Sequence, residues 1–194
     1  MQSLEERARR YATEVHAADG QRRKYTDEPY IVHPAAVVEL VRSVTGNEIM
    51  LAAAWLHDTV EDTDTTLDDI AQQFGAEVAS LVGMLTDRQQ PQVSNRAARK
   101  VAHFRHTAAA APDAQTIKLA DIIDNTRAIV QYDPHFARIY LVEKQVQIDL
   151  LQQGDATLWQ QAQETIAQGI AQLRQRPYNV PETWFARQAA KYAI

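Results

Sequence analysis

The sequence predicts an all-α fold, and three observations carry that expectation. Apolar residues recur at helical spacing in several windows, no window sustains period-two alternation of β-branched residues, and the helical windows carry their own start and stop signals. Val37, Leu40, Val41 and Val44 fall at i, i+3, i+4 and i+7, with Pro34 near the first helical position and Gly46 just past the end. A short helix is expected from about Leu67 to Phe74, with a capping box at Thr66 and Gly75 closing it. Val78, Leu81, Val82 and Leu85 then repeat the helical spacing, and Trp159, Ala162, Ile166, Ile170 and Leu173 form a stripe near the C-terminus. Continued along the chain, this pattern makes roughly nine or ten helices. There is no internal repeat and no low-complexity tract, so residues 1–194 read as one domain, with "TDRQQPQVSN" (Thr86 to Asn95) expected as a mobile loop.

Composition bounds the chemistry. The chain has 194 residues, 45% of them hydrophobic, which is enough apolar material for a core without covalent staples. It has no cysteine, so disulfides, iron–sulfur clusters and thiolate zinc sites are excluded and any metal must be held by His, Asp or Glu. A formal net charge of −5 argues against a broad nucleic-acid-binding surface, which would be strongly basic. The N-terminal stretch "MQSLEERARRYATEVHAADG" has no continuous apolar segment, and no later run approaches the ~20 residues needed to span a bilayer. A soluble, cytoplasmic protein with no membrane partner is expected. The oligomeric state stays open, since Trp184 and Phe185 after Pro181 could dock a last helix on the core or on a second subunit.

Residues able to do chemistry concentrate in four places: His33 in "YIVHP", His57 and Asp58 after the apolar stretch "AAAWL", the pair Glu61 and Asp62, and Asp121 in "TIKLADIIDNT". If the helix that begins near Glu48 continues through His57, Glu61 lies one turn after His57 and Asp62 one turn after Asp58. Adjacent helical residues diverge by about 100°, so for His57 and Asp58 to reach one ion, either the ion sits between their directions or the helix distorts. Plainer readings exist for each residue. His33 could cap a helix, "EDTDTTLDD" could be a solvated acidic turn, and Asp121 could face solvent on an amphipathic helix. Taken together, two imidazoles and several carboxylates in a thiol-free helical chain are a ligand set suited to a catalytic divalent ion. His103 and His106, spaced i, i+3, are a weaker candidate for a second metal, and Arg96, Arg99, Lys100 and Arg105 could steer an anion or simply be solvated.

The order His33, His57-Asp58, Asp121 resembles the HD superfamily of metal-dependent phosphohydrolases. More specifically, "RRKYTDEPYIVHP", "AAAWLHDTVEDTDTTLDDIAQQFGAEVASLVGMLTD" and "KLADIIDNTR" resemble the hydrolase domain of the Rel/SpoT stringent-response enzymes, over roughly Ala12 to Lys144. The chain is too short for the synthetase and regulatory domains of the long enzymes, so the resemblance implies the stand-alone form, a small alarmone hydrolase. It further implies that His33, His57, Asp58 and Asp121 ligate one divalent ion, typically Mn²⁺. Glu61 and Asp62 would orient and activate the attacking water, Asn125 would lie near the nucleoside, and Arg23 and Lys24 would pack on the base and contact phosphates. The region after Asn125, "TRAIVQYDPHFARIYLVEK", departs from the family pattern, which leaves the choice between guanosine and adenosine open.

The expected reaction is hydrolysis of a nucleotide 3′-pyrophosphate to pyrophosphate and a nucleoside 5′-di- or triphosphate. A related phosphohydrolase of another nucleotide, such as a nucleotidase or an NADPH phosphatase, and a non-catalytic nucleotide sensor are the other two readings. Retention of every ligand and of the acidic pair speaks against the sensor.

Overall fold

The structure is a computed structural model that describes residues 2–87 and 95–193. In chain order the helices are α1 (Leu4–Ala18), α2 (Val32–Arg42), α3 (Glu48–Leu56), α4 (Thr59–Asp62), α5 (Leu67–Phe74), α6 (Ala76–Leu85) and α7 (Arg96–Ala108). They continue as α8 (Pro112–Thr126), α9 (Ile129–Tyr132), α10 (Pro134–Ile148), α11 (Ala156–Arg174) and α12 (Glu182–Ala189), closed by a 3₁₀ turn at Ala190–Tyr192. Setting aside the four-residue α4 and α9, ten helices of eight or more residues remain among the described residues, in line with the pattern count. No strand occurs there; the only extended pairing is an isolated antiparallel bridge between Arg22 and Pro29. No helix among the described residues is long and apolar enough to cross a membrane. The expected loop at Thr86–Asn95 lies, for residues 88–94, outside the described residues.

Helix α8 is the axis of the bundle. Ala114, Ile117, Leu119, Ala120, Ile122 and Ile123 are all at most 1% exposed, and α2, α11, α6, α3 and α7 pack about this helix, so it is surrounded on most sides although many of its residues are polar. Asp121 lies on the surrounded side and is buried, whereas Asp113 in the first turn is exposed. Ridges of α1 lie against α3, whose residues Met50 to Leu56 are all buried. The stripe of α6 is buried as expected, and Thr66 caps α5 with reciprocal bonds to Asp69 (Asp69 N–H to Thr66 Oγ1, 3.1 Å; Thr66 N–H to Asp69 Oδ2, 2.8 Å). On α11 the fully buried positions are Leu158, Ala162, Ile166 and Leu173, while Trp159 is partly buried and donates its indole N–H to the Ile148 carbonyl (2.9 Å). The tail docks on its own core: Phe185 and Tyr192 are buried, and the Tyr192 hydroxyl donates to Glu143 (2.8 Å).

One departure from regular helix matters for function. Helix α3 ends at Leu56 instead of running on; His57 and Asp58 form a turn, with Asp58 at φ −102° and ψ −3°, and α4 restarts at Thr59. The helix is distorted at His57 and Asp58, so these neighbouring side chains do not leave it in the directions of a regular helix.

Candidate metal centre and nucleotide cavity

Four side chains that carry metal-ligating atoms, from three parts of the chain, meet at this break. His33 comes from the first turn of α2, His57 and Asp58 from the turn between α3 and α4, and Asp121 from the middle of α8. One ligand atom each of His33, His57 and Asp58 lies within 4.8 Å of the other two. Asp121 Oδ1 closes the group at 3.0 Å from His33 Nε2 and 3.7 Å from His57 Nε2, while Asp58 Oδ2 stands 3.6 Å and 3.1 Å from the same two nitrogens. Only 1% and 3% of the two histidines is exposed, and 6% of Asp121, which removes the capping and solvent-facing readings of these residues.

The outer nitrogen of each imidazole is already committed. His57 Nδ1 lies 2.7 Å from the Ala54 carbonyl, and a carbonyl can only accept, so Nδ1 carries the hydrogen. His33 Nδ1 donates in the same way to Asp124 Oδ2 at 2.7 Å. In the neutral imidazole both Nε2 atoms are then bare lone pairs facing carboxylate oxygens, and His57 Nε2 is buried without any hydrogen bond. Lone pairs facing lone pairs require a cation between them, whether protons or a metal. Two imidazole nitrogens and two aspartates, each supported from behind, therefore fit a divalent ion with a preference for mixed N/O ligands.

The charges show how the cluster is balanced without metal. Burial works against a charged imidazole, but hydrogen bonds to Asp121 and Asp124 carry His33 above its ordinary pKa. For His57 burial is likewise outweighed, first by the charge of Asp58 and then by the nearby Asp121 carboxylate at 3.7 Å, and the group rises well above its usual range. Asp121 is held well below the carboxylate range because Lys118 and both imidazoles overcome its burial; Lys118 Nζ donates to Asp121 Oδ2 at 2.8 Å. Three supporting residues escaped the sequence reading: Asp124, Lys118 and Tyr30, whose hydroxyl donates to Asp58 Oδ2 at 2.6 Å. Lys118 and Asp124 sit one turn before and after Asp121 on the same helix, a spacing visible in "KLADIID"; nothing local marks Tyr30.

Glu61 and Asp62 occupy the single turn of α4 directly after His57 and Asp58. Both carboxyls reach solvent at the site mouth, yet enough protein surrounds Glu61 that burial, followed by the charges of Asp87 and Asp58, pushes its pKa up to about 7. Burial and Asp58 also raise Asp62, against a hydrogen bond donated by Gln21 Nε2 (3.1 Å). A carboxyl near neutrality beside a metal-ligand cluster can exchange a proton at physiological pH.

Beside the cluster lies a cavity of about 540 Å³, reached through Tyr30, Asp124 and Asn125, which line it and bond cluster residues. Its polar wall includes Arg23, Lys24, Asp62 and Asn125, and its apolar wall includes Tyr25, Tyr132, Phe136 and Tyr140. The loop carrying Arg23 and Lys24 is folded back by the Arg22–Pro29 bridge and by the Arg23 N–H donating to the Glu28 carbonyl (2.8 Å). Arg23 donates to Asn125 Oδ1 (3.3 Å) and its guanidinium lies 6.0 Å from the Tyr30 ring centre, whereas Lys24 Nζ stands 5.1 Å from the Tyr25 ring and 5.7 Å from Phe136. The two basic residues thus take different stations in one cavity. Asn125 also donates to Asp121 Oδ1 (2.8 Å), one turn along α8. The weaker candidates lie elsewhere: His103 Nδ1 faces Asp87 (2.9 Å) and His106 Nε2 the Gly83 carbonyl (3.2 Å), so the two rings do not converge, and Arg96 is bonded to Glu143 (2.8 Å).

An all-helical bundle that gathers two histidines and two aspartates around one point defines the class of domains built on a buried His/Asp metal-ligand cluster. The chain belongs to the HD domain family, which matches residues 8–148. It is similar to the probable guanosine-3′,5′-bis(diphosphate) 3′-pyrophosphohydrolase of Synechocystis, 40% identical over 131 residues that make up 66% of this chain and 17% of that protein. It is also 40% identical over 130 residues to the human guanosine-3′,5′-bis(diphosphate) 3′-pyrophosphohydrolase MESH1, covering 62% of this chain and 71% of MESH1. Among solved structures, a metazoan orthologue of SpoT described as hydrolysing ppGpp superposes with a TM-score of 0.76 at 30% identity, over 87% of this chain and 96% of that one. The match thus spans under a fifth of the long bacterial relative and most of the short animal one.

Proposed function

We propose that this protein is a metal-dependent hydrolase that removes the 3′-pyrophosphate from alarmone nucleotides, ppGpp, pppGpp or ppApp, releasing pyrophosphate and a nucleoside 5′-di- or triphosphate. The observation that carries the reading is Asn125, whose amide bonds the ligand Asp121 on one side and Arg23 of the cavity on the other. One side chain joins the metal-ligand cluster to a cavity of nucleotide size with a basic pair and aromatic walls. The similarity to enzymes named for this reaction supports the same assignment. We read residues 1–194 as one domain, because α11 and α12 pack on α8 and α10 instead of standing apart, and we place it in the cytoplasm, consistent with its lack of cysteine.

On this reading His33, His57, Asp58 and Asp121 hold one divalent ion, and Mn²⁺ suits their two nitrogen and two oxygen donors. When bound, such an ion supplies neutralisation of phosphate charge and acidification of water. Glu61, poised near neutrality, accepts the proton of the attacking water. Asp62 accepts a second hydrogen bond from that water and sets its line of approach to the phosphorus bonded to the ribose 3′-oxygen. The bond from that phosphorus to the 3′-oxygen breaks, and the proton that Glu61 took from water is returned through solvent to the 3′-oxygen, leaving pyrophosphate and a free 3′-hydroxyl. Arg23 and Lys24 hold the nucleotide by its base and 5′-phosphates, with the guanidinium suited to stacking and the lysine to charge.

The deciding experiment is product analysis by anion-exchange chromatography after incubating metal-free and Mn²⁺-loaded protein with ppGpp, ppApp and NADPH side by side. Mn²⁺-dependent release of pyrophosphate from ppGpp or ppApp is expected, and the faster of the two reveals the base preference. Release of phosphate from NADPH alone would replace the alarmone reading with the other phosphohydrolase; binding without any turnover would replace it with the sensor.

Metal binding should also show in stability, with a definite pH sign. The folded pKa values of His33 and His57 are raised, so their imidazolium–carboxylate contacts stabilise the metal-free protein below about pH 6.5 and are lost as pH rises through the raised values. Metal competes with those protons, so its effect grows with pH. At a hundredfold excess over Kd, Mn²⁺ should stabilise by about 2.7 kcal/mol and raise Tm by about 5–10 °C at pH 8. A scanning calorimetry series should find a clearly smaller rise at pH 5.5; equal rises at both values would mean that the ion binds elsewhere.

A further inference from the structure

Behind the acidic pair stands a buried histidine that the reaction as described does not use. His16, in the last turn of α1, is 1% exposed. Its Nδ1 lies 2.9 Å from Gln21 Oε1, and Gln21 Nε2 donates to Asp62 Oδ2 at 3.1 Å. Its ring also packs on Tyr30, with centroids 4.8 Å apart, and Tyr30 is the residue that bonds the ligand Asp58. Its Nε2 is buried with no partner.

The chain ending of α1 builds this contact. Gly20, at φ +62°, turns the backbone through the left-handed region, so the Gly20 N–H reaches the Ala17 carbonyl (3.0 Å) and the Gln21 N–H the His16 carbonyl (3.1 Å). This is the paired bonding of a Schellman cap, and it folds Gln21 back over His16 five residues earlier in the chain. From there the amide points across to α4.

The hydrogens along the chain can be assigned by elimination. An ionised Asp62 only accepts, so the amide nitrogen of Gln21 must face it. The amide oxygen then faces His16, and Nδ1 must carry a hydrogen to meet it. With Nε2 unpartnered, the imidazole is the neutral Nδ1–H tautomer, because a buried N–H without an acceptor would be costly. We propose that His16 and Gln21 form a directed relay that positions Asp62, with the single tautomer of His16 fixing the orientation of the Gln21 amide. Gln21 is then a positioning residue that acts through Asp62, and His16 one step further back. The proposal rests on the reading of Asp62 as the carboxylate that orients the water.

Two readouts test it, one with turnover and one without. In Mn²⁺-loaded protein with ppGpp or ppApp, Gln21→Ala should lower kcat by about 10–100-fold while KM stays within about threefold and metal content is unchanged. His16→Leu should lower kcat by about tenfold, and His16→Asn, whose amide N–H stands where Nδ1–H stood, should recover most of that loss at a matched Tm. A Gln21→Ala enzyme within about twofold of the parent kcat overturns the proposal, as does an effect confined to KM, since Gln21 would then be a substrate contact. Equal losses in His16→Leu and His16→Asn also overturn it, leaving His16 as packing. The second readout is the ¹⁵N shift pair of the His16 ring: the parent should show protonated Nδ1 and bare Nε2, and Gln21→Ala should lose that pure tautomer. An unchanged ring spectrum in Gln21→Ala overturns the relay even if no alarmone is ever turned over, whereas a parent enzyme inert to every alarmone with the shifts as expected refutes the substrate reading alone.

Discussion

Replacing Asp58 with alanine should abolish turnover and metal retention together. Asp58 Oδ2 is the oxygen nearest to the bare Nε2 of His57, at 3.1 Å, and it lies 3.6 Å from His33 Nε2. It is also the acceptor for the Tyr30 hydroxyl, so its position is held from the opposite side. Removing it leaves two buried imidazole nitrogens and a single carboxylate, Asp121, which Lys118 already neutralises in part. Such a set has lost a quarter of its donors and its less compensated negative charge. The expected loss in kcat/KM is on the order of 10⁴-fold, equivalent to about 5–6 kcal/mol of transition-state stabilisation. Metal analysis after gel filtration should find the parent protein loaded and Asp58→Ala empty. A variant that keeps both the ion and most of its activity would remove Asp58 from the ligand set.

Glu61→Gln should separate the two properties that Asp58→Ala loses together. The amide has the shape of the carboxyl but cannot take a proton, and Glu61 makes no close contact with a proposed ligand, so metal content should be unchanged. A general base contributes roughly 10²–10⁴-fold, so a fall in kcat of about 10³-fold is expected. The pH profile supplies an independent check. Burial and the charges of Asp87 and Asp58 place the Glu61 pKa at about 7. A bound divalent ion lowers that value, and the base works only when deprotonated, so the parent kcat should rise about tenfold per pH unit along an acid limb lying below about pH 7 and level off above it. In Glu61→Gln this limb should vanish and the residual rate should be nearly flat over the same range. Full activity in the variant would take the water away from Glu61 and leave Asp62 as the candidate, in which case Asp62→Asn should show the 10³-fold loss instead.

The sequence by itself determined the helical class and several of the helices. Helical periodicity marks α2, α5, α6 and α11 because an apolar stripe must face a core, and the caps at Thr66 and Gly75 are local hydrogen-bond chemistry readable over a few residues. All nine residues singled out for the site, from Arg23 to Asn125, are brought to one cluster and its adjoining cavity. Periodicity also runs out at identifiable points. It does not tell whether α3 continues through His57; the chain turns there, with α3 ending at Leu56 and α4 restarting at Thr59.

Other features were decided only by the tertiary structure, since they depend on distances between segments far apart in the chain. Tyr30 meets Asp58, and Arg23 meets Asn125, 102 residues away. Whether Asp121 faces water or the core depends on α8 being surrounded, which no window of its own residues can state. Protonation is set in the same way: His57 lies above its ordinary pKa because Asp58 and Asp121 outweigh burial, and Glu61 rises to about 7 because Asp87 and Asp58 add to it. Local patterns record what a residue can do, but the charges and donors packed around it decide which of those things it does.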